Sequence, residues 1–354
     1  MKFIHTADIH LGATPDSNMP WGESRTSEIW GTFKKLISVV KQEKPELFLI
    51  AGDLFHRQPK VSELKEVNYL FECVAPTRVV LIAGNHDPVS DASNYNNFQW
   101  ADNVFFLSDS EMQICSFEDL GVDVYGMSYH KKIIKEPVYD NIVPMNKSKI
   151  NILLAHGGDE AHIPMNMNMI MLNGFSYVAC GHIHIPYLQS EARYAYPGSL
   201  EPIDKNDKGK RGYIKGEITS EERMITFVPF AKRSYEDIEI DIASNMTNSE
   251  VVNMIKQAII EGGENNIFHV TIKGFRDADI NFDKTEISLL GNVISVNDLS
   301  EPDFDFEKLY EQNKDNMIGM FIERFGDRTN LDELHKKALY YGTSALLSAM
   351  EVRS

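Results

Sequence analysis

The chain has 354 residues, 43% of them hydrophobic and 25% charged, values that exclude a disordered, collagen-like or coiled-coil-dominated protein. Its length suits about two domains. Lys plus Arg number 35 against 52 for Asp plus Glu, a net charge of −17, so a free-standing, tight nucleic-acid binder is not expected, because phosphate contacts supply most of that affinity.

Up to residue 230 short apolar runs alternate with helical stretches, the pattern of an α/β layer structure. The runs cover residues 2–5, 47–51, 79–83, 151–155 and 177–180. Between them Ile29, Phe33, Leu36, Ile37 and Val40, then Val61, Leu64, Phe71 and Val74, recur at helical spacing. Residues 193–230 read as hairpins, with Pro197-Gly198 and Lys208-Gly209 as turns. Beyond Phe230 the spacing predicts strands at 238–242 and 268–272 around a helix at 249–260, a small α+β domain ending near Ser300. Two helices follow, 306–325 and 331–350, with Asn330 and Glu333 fitting a capping box. Their apolar faces (Leu309, Met317, Phe321; Leu334, Ala338, Leu346) are expected to pack on each other.

Cys73, Cys115 and Cys180 form neither a disulfide framework nor a zinc ribbon. No apolar run approaches the ~20 residues of a membrane span, and a strand from the first residues leaves no room for a leader. A reducing, cytoplasmic location is expected.

Each of the five runs is followed within a few residues by metal-ligand types: Asp8-Ile9-His10, Gly52-Asp53, Gly84-Asn85-His86-Asp87, His156, and Gly181-His182-Ile183-His184. In open α/β sheets the carboxyl ends of strands share one crevice, so these clusters can converge. Alone, each has a plain explanation: a surface pair, a common Gly-Asp turn, a helix start at Asp87-Pro88, or histidines alternating on a strand end. Together, Asp8, Asp53 and Asn85 with His10, His156, His182 and His184 make seven oxygen and imidazole ligands without thiolate. That set favours Mn²⁺, Fe²⁺ or Zn²⁺, and suits two ions sharing a carboxylate better than one. Gly52, Gly84 and Gly181 let the chain turn sharply and approach a metal closely.

In this order the motifs resemble the calcineurin-like metallophosphoesterase superfamily. The words HTADIHLG (5–12), AGDLFH (51–56), IAGNHD (82–87), YPGSLEP (196–202) and GKRGYIKGEI (209–218) resemble SbcD-type DNA repair exonucleases. The resemblance implies a two-sheet α/β sandwich nuclease domain over 1–230, a capping domain over 235–300, and a helical segment over 303–354 that docks an SbcC-type coiled-coil ATPase. It implies one metal held by Asp8, His10, Asp53 and His184 and a second by Asp53, Asn85, His156 and His182. It gives His86 the place of the catalytic histidine, Asp87 that of its orienting partner, and His56 a part in positioning DNA. Two Mn²⁺ ions and a homodimer are also implied. The expected activity is exonucleolytic cutting of duplex DNA and endonucleolytic cutting of single strands in double-strand break repair.

Two rival readings remain open: a phosphodiesterase or nucleotide pyrophosphohydrolase for small molecules, and a partner-binding scaffold with structural metals. Intact His86 and Asp87 speak against the scaffold. Lys131, Lys132 and Lys135, with Lys205, Lys208, Lys210 and Arg211, are the basic clusters that could touch DNA, or simply solvated turns.

Overall fold

Strands buried on both faces read as continuous apolar runs, and all five such runs form parallel strands. A computed structural model describes residues 1–191, 193–219, 222–277, 279–326 and 328–351. The chain divides into two units, Met1–Tyr235 and Glu236–Ser354. The first begins with β1 (Lys2–Thr6), α1 (Gly22–Glu43), β2 (Leu47–Ala51), α2 (Val61–Glu72), β3 (Arg78–Ile82) and β4 (Val104–Phe106). It continues with β5 (Gln113–Phe117), β6 (Val122–Gly126), β7 (Ile150–His156), α3 (Met167–Leu172) and β8 (Tyr177–Gly181). Last come β9 (Tyr187–Leu188), β10 (Tyr194–Tyr196), β11 (Gly212–Ile218) and β12 (Arg223–Pro229).

Two six-stranded sheets result, ordered β12-β11-β1-β2-β3-β4 and β5-β6-β7-β8-β10-β9. Strands β1 to β4 are parallel, as are β6, β7, β8 and β10. Alternation sorts their side chains into layers. Leu47, Leu49, Val80 and Ile82 pack with Val122, Ile152 and Leu154 in the layer shared by the two sheets. Phe48, Ile50, Val79 and Leu81 face Ile29, Phe33, Leu64 and Phe71 from the first two helices. Leu153, Val178 and Cys180 lie in a third core with Ile163 and Ile170. The α2 face uses Val67 rather than Val61, which is exposed. Within 193–230, β11 and β12 pair antiparallel as expected, whereas β10 lies in the second sheet, parallel to β8 and antiparallel to β9.

His5 ties the two sheets together. It is fully buried, with Nε2 3.1 Å from the Cys180 carbonyl, to which it donates, and Nδ1 3.0 Å from the Tyr177 hydroxyl.

The second unit carries β13 (Tyr235–Ile242), α4 (Asn248–Gly262), β14 (Ile267–Arg276), α5 (Lys284–Ser288), β15 (Val293–Asp298) and β16 (Glu301–Pro302). Helices α6 (Phe306–Gln312), α7 (Met317–Glu323) and α8 (Glu333–Glu351) follow. Thr247 and Glu250 cap α4 reciprocally. The expected helix over 306–325 is broken, because the Asn316 side chain accepts from the Ile318 and Gly319 amides and starts α7 afresh. At the start of α8 the Asp332 carboxylate accepts from the His335 amide at 2.8 Å, and the Glu333 side chain of the expected capping box lies outside the described residues. The packed face centres on Ile318, Ile322 and Leu339, with Leu309, Phe321 and Leu346 against it as expected, whereas Met317 and Leu334 are exposed. Among the described residues no helix is long and apolar enough to cross a membrane.

Burial pushes His5 down to about 3, against the Cys180 hydrogen bond that favours its charged form. A histidine whose folded pKa lies below its unfolded value destabilises the fold as pH drops through the unfolded value near 6.5. By pH 5 the loss should reach about 2 kcal/mol. Urea melts at pH 7 and pH 5 are expected to show a shallower loss for His5→Gln than for the parent chain; equal losses would clear His5 of the effect.

Candidate metal centre

The loops leaving β1 and β2 run side by side, with Asp8 N donating to Gly52 O at 3.2 Å and His10 N to Asp53 O at 3.0 Å. Turning the chain here forces left-handed backbone on non-glycine residues: φ is 50° at Asp8, 51° at His10, 50° at Asp53 and 91° at His182. Such conformations cluster where function over-determines the backbone. The glycines serve close approach. A Cβ at Gly84 would overlap the Asp53 carboxylate, one at Gly52 the His156 ring, and one at Gly181 the Ala51 carbonyl. Only Gly52 of the three also needs positive φ, at 88°.

Three imidazoles are held from behind. His156 Nδ1 lies 2.8 Å from the Ala51 carbonyl, His182 Nε2 lies 2.7 Å from Asp159 Oδ2, and His184 Nδ1 lies 3.3 Å from Asp207 Oδ2. Each outer nitrogen therefore carries a proton, and in the neutral ring, the form a metal takes, the inner nitrogen presents a lone pair; in the metal-free site the Asp53 carboxylate favours a second proton on His156. Those inner nitrogens meet the Asn85 oxygen and another imidazole. His156 Nε2 is 2.9 Å and His182 Nδ1 3.1 Å from Asn85 Oδ1. His184 Nε2 faces His10 Nε2 at 3.2 Å. Asp53 Oδ2 sits 3.7 Å from His10 and 3.5 Å from His156. Asp8 places a carboxylate oxygen within 4.8 Å of His10 and His184, and likewise of Asp53 and His156. Carboxylate and amide oxygens gathered with imidazole nitrogens at these distances fit divalent cations with oxygen and nitrogen ligands.

Charge is divided unevenly across the cluster. Burial raises Asp8 to about 6. For Asp53 burial acts upward too, yet the imidazoles, His156 foremost, outweigh it and hold the carboxyl well below the usual range. Burial lowers His156, but the Asp53 carboxylate prevails and lifts it to about 9. His182 falls to about 4 through burial and the neighbouring His156. His10 is driven down by burial.

All seven expected ligands thus converge, and His56 and His86 stand beside them, their rings stacked at 5.1 Å. His86 N donates to Asp53 Oδ1 at 2.9 Å, and its Nδ1 lies 3.2 Å from the His56 carbonyl. That carbonyl, rather than Asp87, orients the His86 ring. Asp87 instead accepts from Gly84 N at 2.8 Å, Phe55 N at 3.1 Å and Tyr95 OH at 2.9 Å, pinning the loop. Burial, helped by the charge of Asp53, pushes Asp87 up to about 7. No helix starts at Pro88.

Lys131, Lys132, Lys135, Lys205, Lys208 and Lys210 are exposed. Arg211 is not a surface cation: it is 2% exposed, and its Nη1 donates to the Lys208 and Lys210 carbonyls at 2.8 and 3.1 Å. The 196–202 segment braces the site. Ser199 N donates to His184 O at 3.2 Å and Leu200 N to Asp8 O at 3.4 Å, while buried Glu201 accepts from Thr32 at 2.5 Å and Lys232 N at 2.6 Å. Sequence reasoning missed Asp159, His162, Asp207 and Tyr95. A polar residue behind a histidine has no spacing rule, so little in the sequence singles them out.

Residues 1–186 match the family model described as calcineurin-like phosphoesterase. The chain is 27% identical to the DNA double-strand break repair protein Mre11 of Methanocaldococcus jannaschii, over 73% of this chain and 74% of that protein. It is 28% identical to the protein of the same name from Archaeoglobus fulgidus, over 68% and 62%. With the uncharacterized metallophosphoesterase YhaO of Bacillus subtilis it shares 27% identity, over 70% and 65%. The match to the last two spans less than two thirds of their length.

Gly84→Ala is expected to displace the Asp53 carboxylate and so weaken Mn²⁺ binding nearly as much as Asp53→Ala, with the far-ultraviolet circular dichroism spectrum of the parent chain retained. Calorimetric titration that finds parent-like Mn²⁺ uptake in both variants would contradict the role given to Asp53.

Proposed function

The chain belongs to the calcineurin-like phosphoesterase family, and we propose that it is a metal-dependent hydrolase of DNA phosphodiester bonds. The observation that carries the hydrolase reading is the inward lone-pair convergence of His156, His182 and His184 on Asn85 and His10. Asp8, His10, Asp53 and His184 would hold one divalent ion, and Asp53, Asn85, His156 and His182 the other, with Mn²⁺ the proposed metal. Bound there, such a pair neutralises phosphate charge and acidifies water.

The protein's own residues supply the rest. His86 has its Nδ1 proton committed to the His56 carbonyl, so Nε2 is the atom that exchanges a proton with the departing 3′-oxygen. The stacked His56 ring limits where a substrate strand can lie beside it. Lys131, Lys132, Lys135, Lys205, Lys208 and Lys210 are the exposed cations that would meet the DNA backbone.

DNA is favoured as substrate by the two relatives named as DNA double-strand break repair proteins. We extend that reading to exonucleolytic and endonucleolytic cutting by a cytoplasmic homodimer. Its 303–354 segment would dock an SbcC-type coiled-coil ATPase, with 1–230 as nuclease and 235–300 as cap. Exposed Met317, Met320, Leu334 and Tyr341 on α7 and α8 support an apolar docking face.

His86→Ala should cut turnover by about 10²–10⁴-fold, the usual size of a general acid–base contribution, while Mn²⁺ uptake stays intact. The assay offers labelled duplex DNA beside a small phosphodiester, with Mn²⁺ or Mg²⁺. Hydrolysis of the small ester alone would replace DNA with a small-molecule substrate. If the lysine clusters contact phosphate, replacing them with Gln should flatten the salt dependence of DNA affinity; an unchanged slope would remove them from the interface.

A further inference from the structure

The two histidines of the Gly-His-x-His pair are backed by carboxylates in opposite surroundings. Behind His184, Asp207 is 6% exposed and its Oδ2 also accepts from Ile203 N at 3.0 Å and Asp204 N at 3.2 Å. Its other oxygen lies 3.8 Å from Nη2 of the buried Arg211. That carboxylate is fixed on both sides. Behind His182, the Asp159 side chain is 46% exposed. Both its oxygens are shared with His162, whose Nδ1 lies 3.0 Å from each, and Oδ1 also caps the turn through Ala161 N and His162 N at 2.8 Å. The His162 and His182 rings are 4.6 Å apart.

The loop that delivers Asp159 is strained. Gly157 and Gly158 have φ of 150° and 130°, and Ile163 has φ of 44°, an outlier for a β-branched residue. Ile163 is wholly buried, with its amide 2.6 Å from the Ile134 carbonyl.

We propose that Asp159 is a positioning residue that sets the affinity of the metal site on the His182 side, and that its solvent-shared carboxylate makes that ion the exchangeable one of the pair. Asp207, enclosed with Arg211, makes the His184 side the retained one. The inference rests on the dinuclear reading above. An outer partner fixes a ligating histidine's tautomer and raises its basicity, an effect typically worth 10–100-fold in metal affinity. A half-exposed carboxylate is screened by water and delivers less of that effect than an enclosed one. His162 draws on the same two oxygens, so it competes with His182 for its partner.

The test is Mn²⁺ titration of the full chain, followed by calorimetry and by electron paramagnetic resonance. The parent chain should show a tight and a weak class of sites. Asp159→Asn keeps the turn-capping oxygen and removes the charge, so the fold and melting temperature should persist. It should weaken the weak class by about 10–100-fold and, at a Mn²⁺ concentration that just fills both sites of the parent, replace the spin-coupled pair signal with that of isolated Mn²⁺. His162→Ala should tighten the weak class, and Asp207→Asn should weaken the tight class. Unchanged weak-site affinity in Asp159→Asn, or a loss confined to the tight class, overturns the proposal. Uptake of a single ion by the parent chain would overturn the dinuclear reading itself, a distinct result.

Discussion

Fixing the outer nitrogen of an imidazole decides what the inner one can do. With His156 tied to the Ala51 carbonyl, His182 to Asp159 and His184 to Asp207, the three rings aim lone pairs at a space already lined by the oxygens of Asn85, Asp53 and Asp8. Without a cation the cluster can relieve this crowding only by taking up protons where the local field allows. His156 does so, lifted to about 9 by the Asp53 carboxylate, while His182 is held near 4. The same geometry that makes the proton distribution so uneven is the one a pair of cations would satisfy.

Holding that geometry costs backbone free energy. Left-handed φ at Asp8, His10, Asp53 and His182 costs on the order of 1–3 kcal/mol at each residue. The offset comes from rigid surroundings. The strands that launch these loops have almost every side chain buried. His5 pins β1 to β8 just before the first loop begins. On the other flank, Glu28 receives Arg233 through paired 2.7 Å bonds and Arg25 at 2.9 Å. Arg25 in turn donates to the Pro202 carbonyl at 2.6 Å. The PGSLEP segment is thereby anchored behind Asp8 and His184. Bracing the centre is thus a role this segment's backbone and Glu201 carry out.

The strands and the seven converging groups were legible because both signals are local. An apolar run marks a parallel strand, and ligand-type residues directly after it mark the crevice. What stayed hidden depends on distance or burial. Asp159 and Asp207 lie 23 residues from the histidines they hold, in loops without periodicity. Arg211 sits in a basic turn and looks like its lysine neighbours, but its guanidinium is folded inward over the Lys208 and Lys210 carbonyls. The family resemblance makes Asp87 the orienting partner of His86. Adjacent side chains in an irregular loop need not face each other, and here Asp87 turns toward Tyr95. In the second unit the break before α7 comes from one asparagine side chain outcompeting helix continuation, an effect that hydrophobic spacing does not register.

An acidic chain with a proposed polyanionic substrate must solve an attraction problem. The surplus is distributed over both units, −5 in Met1–Tyr235 and −12 in Glu236–Ser354, but at physiological ionic strength a charge is screened beyond about 8 Å. Only charges close to the crevice therefore act on a phosphate there. Inside it, Asp8 near 6 and Asp53 held ionised are the carboxylates a phosphate would meet, and two divalent ions would reverse their sign. Attraction is then local and conditional on metal. Grip along a DNA strand would have to come from elsewhere on the surface, and exposed Lys131, Lys132, Lys135, Lys205, Lys208 and Lys210 are the cations the proposed reaction assigns to it.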